Sequence, residues 1–144
     1  MRGVWYPATS FEDSRYISGD AGWSAPYLYA KAEELKLKPE LVCLRHLDLN
    51  RQPWSMLDEE SNFDAFCFHC RRMLNADTSI PIILAWDGAI MDGFHRVARA
   101  IAENKRTIKA YRFDDYVKPD QERKDDEGPW KWVFGPKTGE EVEE

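Results

Sequence analysis

Apolar residues recur along this chain at two periods, and the switches between them lay out its elements. From Ser24 the spacing is helical: Leu28, Ala32 and Leu35 fall at i, i+4 and i+7, behind a serine suited to capping and a proline suited to the first turn. Pro39 closes that helix, and ELVCLRHLDL (40–49) follows with apolar residues on both faces, as expected of a strand inside a sheet. RQPWSMLDEESN (51–62) reads as a loop, in which Ser61 and Asp64 resemble a capping box with Asp in place of Glu. Phe63, Phe66, Cys67, Cys70 and Leu74 then return to helical spacing. After a turn at 77–79, IPIILAW (80–86) reads as a strand, and Asp87-Gly88 as the two-residue loop that sends AIM (89–91) back antiparallel. Phe94, Val97, Ala98 and Ile101 mark the face of a third helix, and TIKAYRF (107–113) a further strand.

Outside this run the pattern fades. Residues 1–23 show no sustained period and read as an irregular segment. Residues 114–128 read as charged loop or frayed helix, PWKWVFG (129–135) as a short strand or docking segment, and GEEVEE (139–144) as disordered. The order helix, strand, helix, hairpin, helix, strand predicts an α+β domain over 24–113, a small mixed sheet with flanking helices, followed by an acidic extension over 114–144.

Composition narrows the class. With 144 residues, 43% hydrophobic and 13% aromatic, the chain has the makings of one folded domain rather than a disordered one. No run approaches the roughly 18–20 apolar residues of a membrane helix, and MRGVWYPATSFEDSRY holds no apolar stretch of the secretory kind. Three cysteines fit reduced thiols better than a disulfide framework, so a cytoplasmic location is expected. The net charge of −6 is carried by 114–144, with 11 acidic and 5 basic residues, which leaves 1–113 balanced at 15 of each. Such a chain is a poor generic nucleic-acid binder, although a local basic patch is not excluded by counting.

The chemistry concentrates in Asp92-Gly93-Phe94-His95-Arg96, where a strand gives way to a helix. Helix N-termini carry unpaired N–H groups and favour anions. Gly93 would let the backbone approach a phosphate, Arg96 would grip it as a bidentate fork, and His95 would donate to it or titrate near neutrality. Phe94 faces the core on this reading. The plainer alternative makes Asp92 the helix N-cap and Arg96 a solvated helix residue.

Other clusters are read as structural or remain open. Cys67 and Cys70 flank His69 but lie in the apolar stripe, with Cys43 as the sole further thiol, so core packing is expected rather than zinc or redox chemistry, and no metal site is assigned. His46, between Arg45 and Asp48, reads as part of a strand-edge ion pair. Glu59-Glu60 reads as a solvated acidic loop, the alternatives being a general base or a Mg²⁺ ligand. Trp130, Trp132 and Phe134 either bind a protein partner or cover the domain's own sheet edge.

Over about residues 36–113 the chain resembles the ParB N-terminal/sulfiredoxin-like superfamily. The specific part is IPIILAWDGAIMDGFHRVARAIAENKRTIKAYRF; LVCLRHLDLNRQPW and FDAFCFHCRRML match less specifically. The resemblance implies a small mixed sheet with helices and a nucleotide of ATP or CTP type at the helix start. Gly93, His95 and Arg96 would hold its phosphates, and Asp92 would lie near the phosphates or a Mg²⁺ ion. Asp92 and His95 would be the catalytic pair if the domain were a nucleotide hydrolase or phosphotransferase. Sulfiredoxins place their catalytic cysteine where Phe94 stands, which argues against sulfinic acid reduction. ParB proper continues into DNA-binding and dimerisation domains beyond the span matched here. Two further readings, a non-enzymatic interaction module and a DNA-processing factor, complete the set.

Overall fold

In the computed structural model, residues 14–50, 63–123 and 130–133 are described. The chain runs β1 (Arg15–Ser18), β2 (Ala21–Ser24), α1 (Ala25–Glu34), β3 (Glu40–Cys43), a 3-10 turn (Leu44–His46), α2 (Phe63–Leu74), β4 (Ile82–Leu84), β5 (Ile90–Asp92), α3 (Phe94–Ala102), β6 (Thr107–Arg112), β7 (Gln121–Glu122) and β8 (Lys131–Trp132). Two four-stranded sheets result. One is mixed, in the order β3-β6-β4-β5, with β4 and β6 parallel and the other pairs antiparallel. The other is antiparallel, in the order β1-β2-β7-β8. The α+β class and the mixed sheet agree with the sequence reading.

β4 explains how the mixed sheet is filled. Ile82 and Leu84 join a core with Val97 and Ala100 of α3, whereas Ile83 joins a second core with Leu28 and Ala32 of α1. Successive strand residues point to opposite faces, so a helix on each face makes the whole run apolar. Asp87-Gly88 lies in the β4–β5 turn as expected, but Ala85 N donates to Ala89 O across three residues, 86–88, and not two: Gly88 sits at φ +92°, its N–H donates to Ala85 O, and Asp87 Oδ1 accepts from Ala89 N at 3.0 Å. Ser24 caps α1, its Oγ accepting from Tyr27 N at 3.4 Å.

Several expectations are corrected. ELVCLRHLDL is a strand only over Glu40–Cys43 and pairs with β6 alone, at the sheet's edge, where Leu41 is exposed. No ion pair joins His46 or Arg45 to Asp48; among the described residues Asp48 instead accepts from Asn50 N. Leu35 and Ile101 are exposed, and Ala100 takes the core place expected of Ile101, because α3 is rolled slightly from the face the period implied.

The described part of the stretch read as irregular forms a β-hairpin over Arg15–Ser24. Within the stretch read as loop or frayed helix, residues 117–120 are tied down by tertiary bonds. Asp120, fully buried, accepts from Ser24 N at 2.9 Å and from Ser24 Oγ at 2.8 Å. Trp23 Nε1 donates to Val117 O and Tyr27 Oη to Lys118 O, both at 2.8 Å. Local periodicity carries no trace of such partners, since they come from more than 90 residues away. Trp130 lies against the guanidinium groups of Arg15 and Arg123 and against Gly22, so it covers the domain's own antiparallel sheet; Trp132 is exposed. Phe134, Ser61, Glu59-Glu60 and the acidic end lie outside the described residues.

α2 departs furthest from expectation. It is helical as predicted, but none of its residues is buried, and its apolar stripe faces outward. Cys67 is exposed and Cys70 half-buried, both as free thiols, so the core-packing reading of this pair is corrected.

Candidate functional site

α3 begins on Gly93, which is its N-cap at φ +117° and offers no side chain to the first-turn amides. Asp92 is therefore not the cap: it ends β5, and its Oδ2 accepts from Arg96 Nη2 at 2.8 Å. Gly93 is required by the fold itself. A Cβ there would overlap Ile82 Cγ2, lie 2.7 Å from Ile82 Cβ, and demand a left-handed backbone that L side chains resist.

Arg96 is a tether and not a solvated residue. Its Nη1 donates to Tyr29 Oη at 3.0 Å, Ile80 O at 3.1 Å and Pro81 O at 2.9 Å, while Nη2 pairs with Asp92. Tyr29 Oη in turn donates to Pro81 O at 2.7 Å. Arg96 thus joins α1, the entry to β4 and the end of β5 at one point. Burial pushes the Tyr29 hydroxyl up to about 12, against the charge of Arg96. Burial also raises the Asp92 carboxyl above its usual range, and the charge and hydrogen bond of Arg96 oppose that rise.

On the next exposed side of α3, His95 meets α2. His95 Nε2 and His69 Nδ1 are 2.9 Å apart, with the rings nearly parallel at a centroid distance of 5.1 Å. One ring must donate and the other accept, so the accepting imidazole is neutral. Burial, then the charge of Arg72, then His69 and Arg96 push His95 down to about 3. Burial and Arg72 lower His69 as well. The expectation that His95 titrates near neutrality is corrected: like charge and desolvation both work against the imidazolium. Arg99, one turn further, donates to Leu74 O and Ala76 O and closes the C-terminal end of α2 onto α3.

Asp92, Gly93, His95 and Arg96 are therefore brought together, with Arg96 and Asp92 committed to each other. The sequence reading placed His69 only between two cysteines and gave Arg72 and Tyr29 no role. His69 and Arg72 stand at i and i+3 on the polar side of α2, a spacing visible in the sequence. Tyr29 is visible only once α1 is placed. No group of three or more His, Cys, Asp or Glu suited to a metal occurs among the described residues. With Asp92 paired to Arg96, a Mg²⁺ ion held by the protein alone does not fit here. A cleft of about 200 Å³ near Cys43, His46 and Arg112 shares none of the site's residues.

The histidine pair gives stability a pH signature. A base whose folded pKa lies below its unfolded value binds fewer protons when folded, so stability is fully present above about 6.5 and is lost as pH falls toward about 3. Taking pH from 7 to 5 is expected to cost about 1–2 kcal/mol after discounting for the part of the ring that water reaches. His95→Gln should flatten that slope in urea titrations at the two pH values, and an unchanged slope would assign it elsewhere.

Among the described residues no helix is long and apolar enough to cross a membrane. Comparison of the chain with protein-family models, curated proteins and solved structures gives no match in any of the three.

Proposed function

We propose that this chain is a phosphate-ligand-binding domain, with a nucleotide of ATP or CTP type as its ligand and the start of α3 as its site. The observation that carries the reading is the neutral His69–His95 pair beside Arg72, at a helix N-terminus whose cap has no side chain. Nitrogen donors from two helices converge there, and the Asp92 carboxylate is ion-paired with Arg96. The resemblance of DGFHR to nucleotide-binding ParB-like sequences supports the same place.

In this reading the phosphate is held by His95, His69, Arg72 and the first-turn amides of α3. Arg96 is a positioning residue, braced on Asp92 and the Ile80 and Pro81 carbonyls, that fixes the helix start. A dianion beside the imidazoles would raise their pKa, so binding takes up protons wherever the imidazoles titrate in the complex. His95 is then a donor to the phosphate and not a general base in the free domain.

The test is a thermal-shift panel of nucleoside mono-, di- and triphosphates and inorganic phosphate, with and without Mg²⁺. A phosphate-dependent rise in Tm in the native chain, lost in Arg72→Gln and in His95→Gln, is the expected result. Equal shifts in native chain and variants, or no shift with any phosphate, would remove the assignment. Calorimetry in buffers of different ionisation enthalpy reads the proton uptake directly.

A further inference from the structure

The mixed sheet ends on β3, and its ladder shows which backbone groups of that strand look outward. Just past the strand, Leu44 N donates to Arg106 O at 2.9 Å, in a register that sets Cys43 opposite Thr107 and Leu41 opposite Lys109. Antiparallel pairs alternate between hydrogen-bonded and non-bonded. Glu40 and Val42 therefore bond to β6, and the N–H and C=O of Leu41 and Cys43 point away from it. Among the described residues, none of these four groups has a backbone partner. An open edge of this kind is able to pair with another extended chain.

The cleft of about 200 Å³ adjoins that edge. Val42, Leu47 and Leu84, all buried in the core under α3, form its apolar part, so it opens on that face of the sheet. Arg112 and Glu40 also line it, and their contact is loose, at 3.8 Å with side chains 38% and 53% exposed. A strand laid along β3 sends alternate side chains to the cleft's face, and the space beside Val42 suits one large apolar side chain. A second copy of this chain does not supply it from its own β3. The residues it would turn to that face, Val42 and Leu44, are buried in its own core. Charge narrows the occupant further. Arg45, Arg106, Lys109 and Arg112 stand on or across from this edge against Glu40 and Asp48, a local positive excess in a chain of net charge −6. We propose that the β3 edge receives an extended acidic peptide segment as an added strand, with one apolar side chain in the cleft and a carboxylate on Arg112. This surface shares no residue with the start of α3, and it stands whether or not that site binds phosphate.

The probes are fluorescein-labelled nine-residue peptides of alternating threonine and glutamate, with alanine, leucine, phenylalanine or lysine at the centre. Each is titrated against the full chain, followed by anisotropy, up to about 1 mM, the weak end of specific recognition. Leucine or phenylalanine at the centre should bind at least about tenfold tighter than alanine, and lysine should not bind. Of the two alternating sets of backbone nitrogens in the best peptide, methylating one should abolish binding and methylating the other should cost little, because only one set faces β3. Arg112→Gln should weaken that peptide and Glu40→Gln, which frees Arg112, should tighten it, with urea midpoints confirming that both variants fold. Amide exchange read by NMR locates the contact. Leu41 and Cys43 N–H should exchange fast in the free chain and slow only with peptide, whereas Val42 and Leu44 stay slow throughout. Binding by no peptide, or binding indifferent to the central residue and to Arg112→Gln, overturns the proposal. Slow exchange at Leu41 and Cys43 in the free chain overturns it equally, since the edge is then held by a second copy or by another part of the chain.

Discussion

Arg96→Ala is expected to lower stability by about 3–5 kcal/mol, a large fraction of the roughly 5–15 kcal/mol typical of a domain. The side chain is 14% exposed and its carboxylate partner 15%, so removing the guanidinium leaves Asp92 charged and largely dry. It also strips a donor from Ile80 O and Pro81 O at the entry to β4. Arg96→Lys restores a charge opposite Asp92 but not the planar fork, and should recover only part of the loss. Removing both charges, as Asp92→Asn with Arg96→Met, should be milder than Arg96→Ala, because no ion is left unpaired. The loss in Arg96→Ala should also shrink as pH falls, relative to the native chain. Burial already raises the Asp92 carboxyl, and without its partner it protonates more readily in the folded state. Urea titrations of the four proteins at two pH values read all of this. A loss under about 1 kcal/mol would mean that Arg96 is the solvated residue of the plainer reading.

Gly93→Ala comes next, with an expected loss of about 3–5 kcal/mol, strain and overpacking together. Two costs add there. The backbone stands at φ +117°, and the new methyl group meets Ile82, which is fully buried in the core under α3. Gly88→Ala is the internal control: its φ is +92° but nothing lies within 4 Å of the added carbon, so it pays strain alone, about 1–2 kcal/mol. Equal losses at the two glycines would show that Ile82 yields without cost and that only the backbone matters.

These two residues show what was legible at the site. DGFHR marks a strand-to-helix junction, and the junction is where the sequence places it. Its side chains are used differently. Gly93 is explained by Ile82 and Arg96 by Asp92, Tyr29 and two carbonyls, all within the chain. The residues left at the mouth, His69 and Arg72, come from a helix 20 or more positions earlier, which no local pattern could have paired with His95.

By itself the sequence determined the helices over 25–34, 63–74 and 94–102, the Asp87-Gly88 hairpin and the strand over 107–112, because periodicity, capping and turn chemistry act within a few residues. Only the tertiary structure decided that residues 21–22 pair with 121–122, that Asp120 anchors the start of α1, and that the apolar stripe of α2 looks outward. The physical reason is common to the three. A helical period says that one face differs from the other, but which face is covered depends on what the rest of the chain brings to it.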